Sequence, residues 1–105
     1  MKSEITPAEL RDLRASGQPF QLVDVREAWE HEMVALPGDV LIPLRTLPAR
    51  LHELDRSRAV VVYCHHGARS MLAARTLERA GYEATSLAGG IERWATEIDP
   101  SMKRY

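Results

Sequence analysis

Cys64 is the only cysteine in the chain, and the six positions after it carry His65, His66, Gly67, Ala68, Arg69 and Ser70. The nucleophilic form of a cysteine is the thiolate, so this stretch raises the question of what would hold the sulfur as an anion. A loop that leaves a strand and enters a helix turns successive backbone N–H groups inward and adds the positive end of the helix dipole. Gly67 lets such a loop curl. The resulting cradle favours a Cys64 thiolate and also suits a dianionic or sulfonate-like group, with Arg69 and a protonated histidine assisting. Taken alone, a single cysteine reads as a small buried apolar residue. The Gly-x-Arg-Ser run behind it moves the balance to catalysis. His65 and His66 are either substrate contacts or solvated loop residues, and two adjacent histidines without a second cluster are poor evidence for a metal site. Arg69 is either a substrate clamp or the partner of Asp24 at the neighbouring strand end, with the pairing preferred.

That cradle needs a strand before it and a helix after it, and the flanking sequence supplies both. Ala59-Val60-Val61-Val62-Tyr63 is the most continuous apolar run, without polar alternation, as expected of a central parallel strand buried on both faces. Arg69 to Ala80 is rich in helix formers, with Gly81 as its stop. Before this unit, Thr6-Pro7-Ala8-Glu9 forms a capping box that opens a helix ending at Gly17. Gln21 to Val25 reads as a strand, Arg26 to Glu32 as a brief helix, and Val40 to Ile42 as a strand stopped by Pro43. Leu47, Leu51 and Leu54 then fall on one helix face. After the unit, Glu83 to Leu87 forms a strand, Gly89-Gly90 a turn, and Ile91, Trp94, Ala95 and Ile98 the apolar face of a last helix. Trp29 and Trp94 are expected in the core, and the tail from Asp99-Pro100 on the surface. Five short strands alternating with helices predict an open parallel α/β sheet, whose ligands sit beyond the carboxyl ends of the strands. Cys64 falls at such an end.

The composition, 45% hydrophobic and 28% charged with a net charge of -1, is that of an ordinary globular chain. It carries no electrostatic footprint for nucleic acid or an anionic membrane. Residues 1–105 are expected to form a single domain. The first residues have no apolar run of signal-peptide type, and no stretch has membrane-spanning length. A free thiol suits a reducing compartment, so a cytoplasmic location is expected.

Cys64-His65-His66-Gly67-Ala68-Arg69-Ser70 resembles the Cys-x-x-Gly-x-Arg-Ser active-site loop of single-domain rhodanese-like sulfurtransferases. Leu22-Val23-Asp24-Val25-Arg26-Glu27 is similar to the early strand signature of that family. Pro37-Gly38 with Ile42-Pro43 matches its next segment, and Leu87-Ala88-Gly89-Gly90-Ile91 with Trp94 its final turn and helix. The chain departs from the pattern at Val34-Ala35-Leu36, where Gly-His-Ile is frequent, at Asp39, where a small alanine is usual, and at His65 and His66. The last two are Arg or Lys in the strongest thiosulfate users, which leaves the donor open.

The resemblance implies an α/β rhodanese-like fold, a five-stranded parallel sheet flanked by helices. It also implies a Cys64 persulfide that carries sulfane sulfur from thiosulfate or a related donor to a thiol or cyanide. Cys64 would be catalytic, and His65, His66, Gly67, Ala68, Arg69 and Ser70 would bind substrate, with Asp24 and Arg26 supporting the loop. No cofactor and no metal are needed. With no second cysteine the acceptor must be another molecule, for which thioredoxin and glutathione are candidates. The rival expectations are a cysteine phosphatase or arsenate reductase, and a binding module without catalysis.

Overall fold

In the computed structural model, which describes residues 2–105, the chain alternates strand and helix throughout. The elements are β1 (Glu4–Ile5), α1 (Pro7–Ser16), β2 (Gln21–Asp24), α2 (Ala28–Met33), β3 (Val40–Leu41), α3 (Leu47–Arg50), β4 (Val60–Tyr63), α4 (Ala68–Arg79), β5 (Ala84–Leu87) and α5 (Gly90–Glu97). All strand pairings are parallel, in the order β1-β5-β4-β2-β3. β4 therefore lies in the middle of the sheet, and all four of its residues are buried. The apolar run from 60 to 63 is continuous because both faces of this strand are covered.

The side-chain period of two divides the core into layers. Val23, Val60, Val62 and Ala84 join Ile42, Leu47, Leu54, Ala73, Ala74 and Leu77 on the face that α3 and α4 cover. Leu22, Val61, Tyr63 and Leu87 join Ile5, Leu10, Leu36, Ile91 and Trp94 on the face that α1 and α5 cover. The first two helices start at capping boxes that the sequence provides. Thr6 and Glu9 form the expected capping box of α1, and Gly17 closes it. Glu27 and Glu30 form a second capping box at α2.

Four features differ from expectation. The fifth strand is β1, only two residues long, pairing Glu4 with Ser86 and Ile5 with Leu87 directly before the α1 cap. Two residues are too short a run to show alternation. The predicted helix through Leu47, Leu51 and Leu54 is a single α turn between two 3-10 turns, Leu44–Thr46 and Leu51–Glu53. Trp29 is 59% exposed and not in the core, because α2 presents Glu30 inward instead. The tail is not a bare surface extension, since Met102 and Tyr105 pack against the second apolar layer.

Candidate active site

β4 ends at Tyr63, and the next residue carries the thiol to the carboxyl edge of the sheet. The Cys64 sulfur accepts hydrogen bonds from the backbone N–H groups of Gly67, at 3.1 Å, and Ser70, at 3.3 Å. The sulfur lies 3.4 Å from Ser70 Oγ, to which its S–H donates. The residue is only 1% exposed and belongs to the α4-side apolar layer. Burial of this kind is what an inert cysteine shows, but the two converging amide donors are not.

The loop curls this way because its carbonyl groups are fastened from outside. Ile91 N–H donates to Cys64 O at 2.9 Å, and Glu92 N–H donates to His65 O at 3.1 Å. The first turn of α5 thus takes up the loop carbonyls, leaving N–H groups free to face the sulfur. Contact this close needs glycine. A Cβ on Gly90 would stand 2.3 Å from His65 O and 2.5 Å from Cys64 O, and Gly90 has φ +63. Gly67 supplies the curl itself at φ +114, and a Cβ there would stand 3.4 Å from Gly89 N.

Arg69 does not pair with Asp24. Its guanidinium donates to both carboxylate oxygens of Glu30 on α2, at 2.6 and 2.9 Å. The Arg69 hydrogen bonds, acting against partial burial, lower the Glu30 pKa to about 2. Asp24 is instead taken by Arg26, whose Nε and NH2 donate to its two oxygens at 2.8 and 2.7 Å. Both side chains are fully buried. Arg26 also donates to Val34 O at 2.6 Å and to Tyr105 Oη at 2.9 Å. Asp24 and Arg26 therefore brace the 34–36 segment and the tail, and make none of their side-chain bonds to the Cys64 loop.

Tyr105 ties these parts together. Its hydroxyl donates to Glu30 at 2.7 Å, and its ring stacks on His65 with centroids 3.9 Å apart. His65 stacks on its other side against His66, also at 3.9 Å. Burial pushes the Tyr105 hydroxyl up to about 12, and burial followed by the neighbouring His66 pushes His65 below the ordinary histidine value. Behind the loop, the Ser70 hydroxyl donates to Gly67 O at 3.1 Å and lies 2.6 Å from Ser86 Oγ on β5.

Of the residues singled out from sequence, Gly67 and Ser70 contact the Cys64 sulfur, with Ala68 opening α4, Arg69 held by Glu30 beside the loop, and His65 and His66 stacked on one another. Glu30, Ser86, Gly90 and Tyr105 were missed. The Gly89-Gly90 pair signalled a turn, but nothing in the sequence told that the Cys64 loop packs against it so closely. Asp24, His31 and Asp39 also place one ligand-type atom each within 4.8 Å of one another. Arg26 and His31 already occupy Asp24, and Asp39 accepts from the Tyr63 hydroxyl. Among the described residues, no helix is long and apolar enough to cross a membrane.

The sheet and the cysteine-led loop define a class. The family model of the rhodanese-like domain matches residues 6–97, and the chain belongs to that family. A protein of Allochromatium vinosum named "Sulfurtransferase" is 35% identical over 96 residues, covering 90% of this chain and 90% of its own length. The Mycobacterium tuberculosis protein named "Probable adenylyltransferase/sulfurtransferase MoeZ" is 40% identical over 106 residues, covering 98% of this chain, which spans 27% of that protein's length. Among solved structures, the rhodanese-like domain protein of Staphylococcus aureus superposes with a TM-score of 0.86 at 30% identity, covering 99% of both chains. The protein is thus a member of a sulfurtransferase and sulfur-carrier family.

Proposed function

We propose that the chain is a self-contained rhodanese-like domain that moves sulfane sulfur through a persulfide on Cys64. The observation that carries this reading is the pair of backbone donors, Gly67 N–H and Ser70 N–H, aimed at one sulfur. Two such donors favour the anion over the neutral thiol, and an anionic sulfur is the attacking species. With thiosulfate as donor, the Cys64 thiolate attacks the outer sulfur. The bond from that sulfur to the sulfonate breaks, its electron pair leaves with sulfite, and Cys64 carries the new persulfide. The loop amides hold the negative charge on the terminal sulfur. A thiolate or cyanide then takes that sulfur, and the electron pair of the S–S bond returns to Cys64.

His65, His66, Gly67, Ala68, Arg69 and Ser70 are read as the substrate-binding shell, and Asp24 and Arg26 as supports one layer further out. With Cys64 1% exposed, sulfur uptake requires the loop or the side chains over it to shift. The acceptor is a separate thiol such as glutathione or thioredoxin, because the chain has no second cysteine. A free thiol at the site suits a reducing compartment such as the cytoplasm.

Intact mass spectrometry tests the reading. Thiosulfate should add one sulfur atom, which cyanide or dithiothreitol removes, and Cys64→Ser should take up none. An unchanged mass across several sulfane donors would overturn it.

A further inference from the structure

We infer that Ser86, on β5, is a positioning residue that sets the proton direction of the Ser70 hydroxyl toward Cys64 and so stabilises the thiolate. The inference rests on the reading of Cys64 as the nucleophile. Ser86 and Ser70 are both fully buried, and their oxygens are 2.6 Å apart, close enough for either to donate. The hydrogen count decides which one does. Among the described residues the Ser86 hydroxyl meets no partner besides Ser70, so its proton either points at Ser70 Oγ or is buried without an acceptor. Ser70 has a second acceptor, Gly67 O at 3.1 Å, and needs no help from Ser86 as an acceptor. Ser86 therefore donates.

With Cys64 neutral, Ser70 Oγ receives the Ser86 proton and the Cys64 S–H, and its own proton goes to Gly67 O. Loss of the thiol proton leaves the sulfur as an acceptor alone. The Ser70 proton can then turn to the sulfur, 3.4 Å away, as a third donor beside the Gly67 and Ser70 amides. Gly67 O is not stranded by that turn, since Met71 N–H also donates to it at 3.1 Å. Ser70 Oγ is not stranded either, because Ser86 still donates to it. Without the Ser86 hydroxyl, the thiolate arrangement leaves a buried Ser70 oxygen with no incoming proton, a cost that the neutral thiol does not carry. The titratable and charged groups around the loop, Arg69 from α4, Glu30 from α2, Tyr105 from the tail and His65 in the loop itself, are retained in every variant of the series.

The test is the pH titration of Cys64 by ultraviolet thiolate absorbance, which does not depend on reagent access, with Cys64→Ser as the blank. Wild type, Ser86→Ala, Ser70→Ala and the double variant are compared, each after a thermal melt confirms folding. Ser86→Ala should raise the midpoint by about half to one pH unit, a three- to tenfold loss of thiolate on the acid side of that midpoint. In the Ser70→Ala background the same change should have no further effect, since Ser86 acts only through Ser70. A wild-type midpoint in Ser86→Ala, or an equal shift in both backgrounds, would overturn the inference. Wild-type protein that shows the Ser86-dependent midpoint yet takes up no sulfur would support the inference and overturn the sulfur-transfer reading.

Discussion

Arg69 and Glu30, on helices that begin 40 positions apart at Ala68 and Ala28, form a two-pronged ion pair at the edge of the Cys64 loop. The Glu30 side chain is 4% exposed while that of Arg69 is 37% exposed, so one carboxylate fixes an arginine that still reaches solvent. A guanidinium held this way presents its remaining N–H groups in one orientation.

The pair gives stability a pH dependence. The Glu30 pKa in the folded chain is lowered to about 2 from an ordinary 4.5, so its contribution is fully present above the ordinary value and is lost as pH falls toward 2. Glu30→Gln should lower neutral-pH stability by about 1–2 kcal/mol, discounted for the solvent that reaches Arg69. It should also flatten the acid limb of a denaturation series between pH 4.5 and 2. An unchanged acid limb would place that limb elsewhere.

Tyr105 is predicted to control the protonation of His65. Burial is the foremost cause of the lowered His65 value, and the Tyr105 ring covers one face of that imidazole. In Tyr105→Ala, NMR titration should move His65 back up toward the ordinary 6.5. For wild type, the unfolded chain binds the His65 proton more readily, so stability declines as pH falls through 6.5 and levels off below the folded value. Tyr105→Ala should reduce that decline. A His65 midpoint that does not respond would show that the ring excludes no water there.

Gly90→Ala is the sharpest test of how the loop is held. The added Cβ would meet two backbone carbonyl oxygens that lack room to move without dragging Cys64. Expected outcomes are a fall in stability of about 2 kcal/mol or more and loss of sulfur uptake well beyond what that fall explains. Full sulfur uptake with an unchanged melting temperature would mean that the α5 turn does not position the loop.

Sulfur transfer and phosphoryl transfer are separated by loop length. Four residues lie between Cys64 and Arg69, one fewer than in cysteine phosphatases, and each residue spans about 3.3–3.6 Å of chain. Assayed side by side, thiosulfate:cyanide transfer should be measurable and p-nitrophenyl phosphate hydrolysis should not. Phosphate hydrolysis that is as fast, and is lost in Cys64→Ser, would reverse the assignment.

What the sequence made legible was whatever depends on local pattern. The all-apolar stretch from Val60 to Tyr63 declared a doubly covered strand, and Thr6 and Glu9 declared a cap, because each signal is complete within a few residues. Cys64, Gly67 and Arg69 were legible for the same reason. The partner of Arg69 was not, since Asp24 and Glu30 are both acidic residues near the end of β2. Only the inward turn of α2 gives the choice to Glu30, and that same turn sends Trp29 outward. Tyr105 was invisible because a tyrosine at the end of a polar tail carries no periodicity. Ser86 looked like a neutral strand residue until its register beside β4 set it against Ser70.

The position of β4 divides the neighbourhood of the thiol by durability. Strand β4 has a partner on each side, so its amides are protected until β2 or β5 detaches, which amounts to unfolding the sheet. The cover over the loop is of another kind, an aromatic stack from His66 to Tyr105 and one ion pair to a short helix. In hydrogen-exchange terms, the β4 amides leading into Cys64 are expected to exchange only by global opening, and the stack beside the loop by local opening. On that footing the stack would part and re-form many times before the sheet opens once.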